Sequence, residues 1–546
     1  MPSSSTRGRL IVLLVAVAVV ALAALAFRNS LLGALVRARY PRIIVVTLDT
    51  LHVDHVGPYN SEIDNTPVLD RFAAAGVTFD HAYTTVPITL PSHASLLTGR
   101  TPPDLGVMVN GDVLTTPVET LAEWLGRYGY RTGAVTSLGV LDEGTNLAQG
   151  FGHYDDEMGG EWERWYRTAD EVVAAAQAWV EEVGDEPFFL WLHLSDPHEP
   201  YLEKGAPPDL RLTVDGEIVS RWTLTTKEEY RTQLELPPGS HTVAWEPIRL
   251  ARDDDYEHTA LVLDLVEFES ADLASLPAPK TGETWLFEPY GVELENPGPE
   301  PARVTVTFRG RTKSPGPTEV FEAYAAEIGY MDGWLGRFEE FLAQRGLADE
   351  TLWAVVSDHG EGLFHFGSIG HATYNQEDQL RIVWVLKGPG VPVGRRIAGQ
   401  PVLVHDVMPT ILDLVGLPSP DGVSGSSQVG CWSRGECHQR EEWWSYGANV
   451  ADARVTALAG YRWPYKLLWQ NRRRTGVFDV SKDPFEEVEL SGGGRNADSL
   501  PRQALRLQAS FERQRRALQK QLEERGTGER TAEQEEMLRA LGYLNP

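Results

Sequence analysis

Three apolar runs in this chain lead into residues able to bind a metal or carry a proton. Ile43-Ile44-Val45-Val46-Thr47-Leu48 ends in Asp49, Phe188 to Leu194 leads into Asp196-Pro197-His198, and Leu352 to Ser357 leads into Asp358-His359. A fourth segment, Thr89-Leu90-Pro91-Ser92-His93-Ala94-Ser95-Leu96-Leu97-Thr98-Gly99-Arg100, joins hydroxyls and a histidine to an apolar-periodic stretch. Pro91 near its start marks a helix N-terminus, where the missing N–H does no harm. This predicts Thr89 just before that helix, where free backbone N–H groups and the helix dipole favour an anion. A hydroxyl there, beside a metal, can serve as a nucleophile. The competing reading of Thr89 is a helix N-cap.

The elements around these residues give the architecture. A continuous β-branched run such as 43–48 suits a parallel strand covered on both faces. With helical stretches between the runs, and Ile382 to Leu386 as a further strand, the pattern predicts a parallel α/β sheet. In such sheets functional groups gather beyond the C-terminal strand ends, where Asp49, Asp196, His198, Asp358 and His359 fall. From about Leu202 to Gly316 the pattern changes to alternating segments, including Leu210-Arg211-Leu212-Thr213-Val214 and Arg303-Val304-Thr305-Val306-Thr307-Phe308, separated by Asp-Gly and Pro-Pro-Gly turns. These predict an antiparallel β-sandwich inserted into the α/β domain. Helix returns at Glu319 to Phe341, a Trp-rich segment follows Gly430, and Gln503 to Leu541 forms a charged helical tail.

Composition narrows the function. The 546 residues carry 49 Lys+Arg against 78 Asp+Glu, a net charge of −29, which argues against nucleic-acid binding. A small anionic substrate stays compatible, because a metal supplies positive charge locally. The hydrophobic content of 42% excludes a disordered chain. Two cysteines, Cys431 and Cys437, exclude a disulfide framework or Cys-rich metal site and can form a small-loop disulfide in an oxidising compartment. Leu10 to Phe27 is an 18-residue apolar run preceded by Arg7 and Arg9, about 27 Å as a helix and just enough to cross a bilayer core. It is expected to anchor an extracytoplasmic (periplasmic or extracellular) protein in the membrane, with a signal peptide cleaved after Ala24-Leu25-Ala26 as the alternative.

The Thr89 segment resembles the signature of the sulfatase family within the alkaline phosphatase superfamily, Cys/Ser-x-Pro-x-Arg followed by a small-residue helix and Leu-Thr-Gly-Arg. Three further blocks occur in the family's order: Asp196-Pro197-His198-Glu199-Pro200-Tyr201, Ser357-Asp358-His359-Gly360-Glu361, and Asp479 through Asp483-Pro484-Phe485-Glu486-Glu487. The resemblance covers most of residues 41–201 and 317–490. It implies an alkaline-phosphatase-like α/β/α sandwich with the inserted β-sandwich and a smaller C-terminal subdomain. The expected units are an N-terminal anchor (1–40), a catalytic domain in two parts (41–201 and 317–430), the insert (202–316), a C-terminal subdomain (431–495) and a charged tail (496–546).

The family's metal ligands map onto Asp49, Asp358 and His359, with the nucleophile position, Thr89, completing the shell. Such oxygen-rich ligands with one imidazole suit Mg²⁺, Mn²⁺, Ca²⁺ or Zn²⁺. Family sulfatases convert cysteine or serine to formylglycine; threonine cannot form it, so a Thr89 ester must be attacked by water at phosphorus or sulfur. Thr-x-Pro-Ser-His also resembles the Thr-x-Pro-Asn-His of nucleotide pyrophosphatase/phosphodiesterases, and chemistry at phosphorus is therefore favoured over sulfur. Transfer of a phospho-headgroup and a non-catalytic glycan-binding protein are the other readings. Further departures are His93 for the sulfatase arginine, Thr50 for the second early aspartate, Phe366 for a common histidine, and His371 where a lysine is usual.

Asn110 lies 21 residues after Thr89, where related threonine-nucleophile phosphodiesterases place an asparagine on the transferred group; an Asn-Gly turn is the competing reading. His198 and His371 are candidates to protonate the leaving group. Asp196, His198 and His371 could instead hold a second metal, with one metal favoured. His52 and His55 are expected as loop residues and Arg472-Arg473-Arg474 as a solvated turn. The substrate is expected to be a small or polymeric phosphate or sulfate ester.

Overall fold

The computed structural model describes residues 30–115, 117–158, 166–198, 209–223, 228–248, 260–273, 275–285, 290–313, 317–363, 369–372, 374–448, 455–470, 473–490 and 500–525. The apolar run Leu10 to Phe27 and Phe366 lie outside them, and among the described residues no helix is long and apolar enough to cross a membrane.

An eight-stranded sheet forms the centre, in the order Arg395–Ile397, Val77–Phe79, Trp384–Lys387, Thr351–Ser357, Arg42–Leu48, Phe188–Leu194, Arg131–Val135, His153–Asp155. Arg42–Leu48 lies between Thr351–Ser357 and Phe188–Leu194 and runs parallel to both. All residues of these three strands are buried, as their unbroken apolar runs require. The expectation of a parallel α/β sheet holds for the centre and needs correction at one strand. Trp384–Lys387 runs antiparallel to Thr351–Ser357 and to Val77–Phe79, so the sheet is mixed. A continuous apolar run reports burial on both faces, not direction, so the sequence pattern could not separate the two.

Alternate side chains feed two cores. Ile43 and Val45 join one core that includes Leu90, Ala94, Leu97, Leu121 and Ile411. Ile44, Val46 and Leu48 join the other, with Phe72, Val172, Trp179, Tyr324 and Phe338. Helices Thr89–Thr98, Leu121–Arg127 and Val407–Val415 therefore cover one face, and Pro67–Ala75, Ala169–Val183 and Pro317–Gln344 the other. This is an α/β/α sandwich.

The described residues between 209 and 313 form two four-stranded antiparallel sheets sharing one core, which includes Leu212, Trp245, Val304 and Phe308. The Trp-rich segment becomes a four-stranded antiparallel sheet from Trp443 to Asp479, onto which helix Arg502–Arg525 packs. Cys431 and Cys437 are joined in a disulfide.

One buried charge cluster ties this last sheet to the centre. Lys466 Nζ lies 3.0 Å from Glu377 Oε1 and 2.8 Å from Glu486 Oε1, with both side chains buried. Glu377 also accepts from Tyr461 Oη at 2.7 Å and Tyr83 Oη at 3.0 Å. The adjoining Gln379 carbonyl accepts Gly360 N–H at 2.9 Å, directly after His359. Burial pushes the Glu486 carboxyl up to about 7 against the pull of Lys466. Lys466→Met would leave buried carboxylates without a counter-charge, a loss of about 3–5 kcal/mol by denaturant unfolding at pH 8. Lys466 holds the Glu486 pKa down, so the variant's carboxyl rises further and the deficit should shrink as pH falls toward about 7, levelling off below it where the group is protonated in both proteins.

Candidate active site

Register sets the site. Leu48 pairs with Ser357 on one side and Leu194 on the other, so the next residues, Asp49 and Asp358, leave the sheet side by side, both fully buried. Asp358 Oδ1 accepts the backbone N–H of Thr50 at 3.2 Å and of His359 at 2.7 Å. Asp49 Oδ2 lies 3.0 Å from His193 Nε2. The Ser137 backbone N–H donates to His193 Nδ1 at 3.2 Å, which leaves Nε2–H as the donor to Asp49. His193 thus fixes one oxygen of the carboxylate and leaves Oδ1 facing the site.

His359 completes the cluster. Its Nδ1 lies 2.9 Å from the Gly360 carbonyl, which can only accept, so Nδ1 carries the proton and Nε2 a lone pair. That lone pair sits 3.3 Å from Asp358 Oδ2 and 3.8 Å from Asp49 Oδ1. The three ligand atoms lie within 4.8 Å of one another. Asp49 Oδ1, Asp358 Oδ2 and His359 Nε2 are buried without a hydrogen-bond partner. Three converging lone pairs repel unless a cation lies between them, and the donor set of two carboxylates and one neutral imidazole fits a hard to borderline dication. The orienting bond to His359 Nδ1 is the support that metal-ligating histidines commonly have.

The electrostatics agree. Burial raises the Asp358 carboxyl well above its usual range, and the adjacent Asp49 charge raises it further. Burial also opposes ionisation of Asp49, but the His193 hydrogen bond, with His198 and His359 nearby, outweighs it and holds this carboxyl low. Burial and His371 lower His359.

Thr89 is the first residue of helix Thr89–Thr98, with Ile88 as the cap, one step further in than the sequence suggested. Proline at the third helical position is tolerated because first-turn N–H groups have no intrahelical partner. The helix is fastened to the cluster by Ser92 Oγ, which donates to the Asp358 carbonyl at 2.7 Å, while His93 Nδ1 lies 2.8 Å from the Thr89 carbonyl within the helix and 3.6 Å from Asp358 Oδ2. Burial, then His193, pushes His93 down to about 3, so this imidazole is neutral. Leu90 N–H donates to Asn110 Oδ1 at 2.9 Å, which fixes the amide. Thr89 Oγ1, Asn110 Nδ2 and His93 Nε2 are buried without partners.

His371 meets His359 at 4.5 Å and His198 at 5.1 Å between ring centroids. The ribbon pairing of Gly362 with Gly370 puts Glu361 opposite His371, and both Glu361 oxygens lie 3.2–3.3 Å from its Nδ1. Asp196 Oδ1 instead accepts the Ala169 N–H at the start of helix Ala169–Val183, at 3.0 Å. Among the described residues, only Asp49, Asp358 and His359 group as a candidate metal site. His55 stacks at 6.0 Å on Phe321.

Sequence reasoning missed His193 and Glu361. It also missed the strain at Thr50, which sits at φ 54°, unusual for a β-branched residue. Tyr324 holds it there, donating to the Thr50 carbonyl at 2.6 Å and accepting His52 N–H at 2.8 Å. The position of His193 at the inward end of a strand leading to Asp196-Pro197-His198 was the available signal.

A family model described as Sulfatase matches residues 41–417, more than half of the chain. An arylsulfatase of Clostridium perfringens is 24% identical over 477 residues, covering 82% of this chain and 90% of the relative. A choline-sulfatase of Rhizobium meliloti is 24% identical over 481 residues, covering 83% of each. The phosphonate monoester hydrolase of Agrobacterium radiobacter shares the fold at a TM-score of 0.54 and 16% identity, covering 88% of this chain and 96% of that one.

If the converging lone pairs are a metal site, adding Mg²⁺, Mn²⁺, Ca²⁺ or Zn²⁺ to metal-stripped protein should raise its melting temperature. At about a hundred times the dissociation constant, the best-fitting ion contributes about 2.7 kcal/mol. Asp49→Asn should abolish the rise, and His193→Ala should weaken binding about 10–100-fold.

Proposed function

Because the chain belongs to the sulfatase family of ester hydrolases, we propose that it cleaves phosphate or sulfate esters, phosphoesters favoured, through a covalent Thr89 intermediate. One observation carries this reading: the buried, unpartnered Thr89 hydroxyl heads a helix fastened to Asp358. Asp49, Asp358 and His359, with Thr89, would hold one divalent cation. When bound, that cation supplies Lewis acidity, lowering the hydroxyl's pKa and drawing charge from the transferred group.

Thr89 Oγ attacks phosphorus or sulfur as the bond to the ester oxygen breaks. His198 or His371 gives its proton to the departing oxygen. Asn110 Nδ2 donates to a non-bridging oxygen as negative charge grows there. Water then attacks the Thr89 ester and gives one proton to the same imidazole, and the Thr89 oxygen leaves as the deprotonated form that made the first attack.

Phosphorus is favoured because a threonine ester has no aldehyde hydrate through which to eliminate, so water must displace it at the central atom. Sulfate-ester hydrolysis is the second reading, supported by the arylsulfatase and choline-sulfatase relatives. The apolar run Leu10 to Phe27 supports an exported, membrane-anchored enzyme. The insert, 202–316, is assigned to shaping access for larger substrates.

Thr89→Ala should lower kcat/KM on aryl esters by more than about a thousandfold with the fold intact, and activity within about tenfold of wild type would refute the nucleophile. Assayed side by side, an aryl phosphodiester should turn over faster than an aryl sulfate, each relative to its uncatalysed rate. Replacing 202–316 by a short linker should leave small-ester hydrolysis nearly unchanged; a folded variant that has lost it would place the insert in the site.

A further inference from the structure

We propose that the outward face of the C-terminal helix docks a polyanionic chain, the polymer whose esters the active site cleaves. Helix Arg502–Arg525 carries seven Arg or Lys against three Glu, in a protein of net charge −29. Ala504, Leu507, Phe511 and Leu518 are buried in one core with Tyr446, Leu458, Leu467 and Val477. At about 100° per residue these define the inner side. Arg502, Arg506, Arg513, Arg516 and Lys520 fall within about 40° of one line on the opposite side, and all five are exposed.

Between Arg502 and Lys520 the strip has one sign of charge. An ion pair on this helix, Arg515 to Glu512 at 3.1 Å, lies off the line, and Arg502, Arg506, Arg513 and Arg516 pair with no carboxylate among the described residues. From Arg502 to Lys520 the strip runs about 27 Å, with successive charges about 4–11 Å apart along the axis. Such spacing suits a chain bearing repeated sulfate or phosphate groups. Arg474 is the cross-strand partner of Trp469, and the Arg515 guanidinium lies 5.7 Å from the Trp469 ring centroid. Arg473 and Arg474 therefore lie in a strand beside the same helix.

Location favours a polymer over a lipid surface. Met108 belongs to the helix's core, two residues before Asn110, and Tyr446 N–H donates to the Thr85 carbonyl at 2.8 Å, four residues before Thr89. The helix thus sits at the active-site end of the central sheet. The N-terminal segment enters at the other end, where the Tyr40 carbonyl accepts Tyr130 Oη at 2.6 Å, and the seven-residue strand Arg42–Leu48 separates the ends by about 20 Å. Residues 30–40 therefore approach the sheet from the end opposite the strip.

This inference rests on the reading above for the polymer's esters, and the experiment separates the two. Dextran sulfate is the binding probe, and full-length Arg506→Glu/Arg513→Glu/Arg516→Glu is compared with wild type. Wild type should bind the probe with an affinity that falls steeply with salt. The variant should lose at least about tenfold in affinity and show a shallower salt slope, while kcat/KM for a 4-nitrophenyl ester stays within about twofold. The matching Gln variant, melting at the wild-type temperature, should show the same loss. Unchanged probe affinity in either folded variant overturns the proposal, as does binding only to phosphatidylglycerol vesicles. Probe binding lost with the strip, in a wild type that cleaves no ester, supports the strip and refutes the hydrolase reading. Ester hydrolysis without probe binding refutes the strip alone.

Discussion

Two carboxylates that must stay side by side in a dry site are the constraint on which this molecule depends. Asp49 and Asp358 sit one residue beyond in-register parallel strands, and neither has solvent to spread its charge. Unscreened neighbours of this kind repel by on the order of 3–4 kcal/mol even at a generous effective dielectric of about 20. Much of the surrounding structure offsets that cost. Two backbone N–H groups neutralise one oxygen of Asp358, one of them from Thr50, whose left-handed φ lets its amide reach across strands. Tyr324, from a helix on the far face, holds that backbone in place. His193, from the third parallel strand, takes one oxygen of Asp49 and is oriented by Ser137, which also donates to Ser195 Oγ at 2.7 Å. The two oxygens left over point at the same place as His359 Nε2, where a divalent cation would resolve the repulsion.

The histidines around that place do different work from the cations they resemble. His93, expected from the sequence resemblance where the family carries an arginine, is kept neutral by burial, and its Nδ1–H goes to the Thr89 carbonyl. It braces the first turn of the helix that carries Thr89 and, being neutral, does not hold an anion's charge. His359 is likewise lowered by burial. Negative charge on a transferred group would then be met by the metal and by the neutral amide of Asn110. A site built on neutral donors and one dication favours a threonine hydroxyl whose acidity the metal can tune.

The central architecture was legible because both signals it uses are local. Unbroken β-branched runs marked strands covered on both faces, and the change to alternation near Leu202 marked the inserted sheets, whose Asp209–Val214 and Ala302–Lys313 strands contain the expected segments. Strand direction was not legible, since Trp384–Lys387 presents the same apolar pattern in either sense. Of the site, residues carried by motifs at strand ends were found, and residues that support them were not. His193 lies 144 positions from Asp49, and Tyr324 lies 274 from Thr50. Such partners are chosen by register between strands distant in sequence, which no local pattern encodes. Asn110 shows the intermediate case. Its spacing from Thr89 suggested a role beside an equally simple turn, and the bond from Leu90 N–H to its Oδ1 gives the side chain work that a turn does not require.

The C-terminal block around Asp483-Pro484-Phe485-Glu486 finds a physical role in the same terms. Glu486 sits far from Asp49, Asp358 and His359 in sequence, yet it shares Lys466 with Glu377, and Glu377 begins the short helix Glu377–Leu380. That helix presents the Gln379 carbonyl to Gly360 N–H. Gly360 has no room for a side chain, because a Cβ there would lie 2.0 Å from the Asp378 carbonyl oxygen. Its own carbonyl is the acceptor that sets the His359 tautomer. A displacement of this helix would therefore move the Gly360 peptide, and with it the nitrogen that faces Asp49 and Asp358. The C-terminal sheet is thus more than an appendage. Its buried lysine stabilises the backbone that decides which His359 nitrogen carries a lone pair.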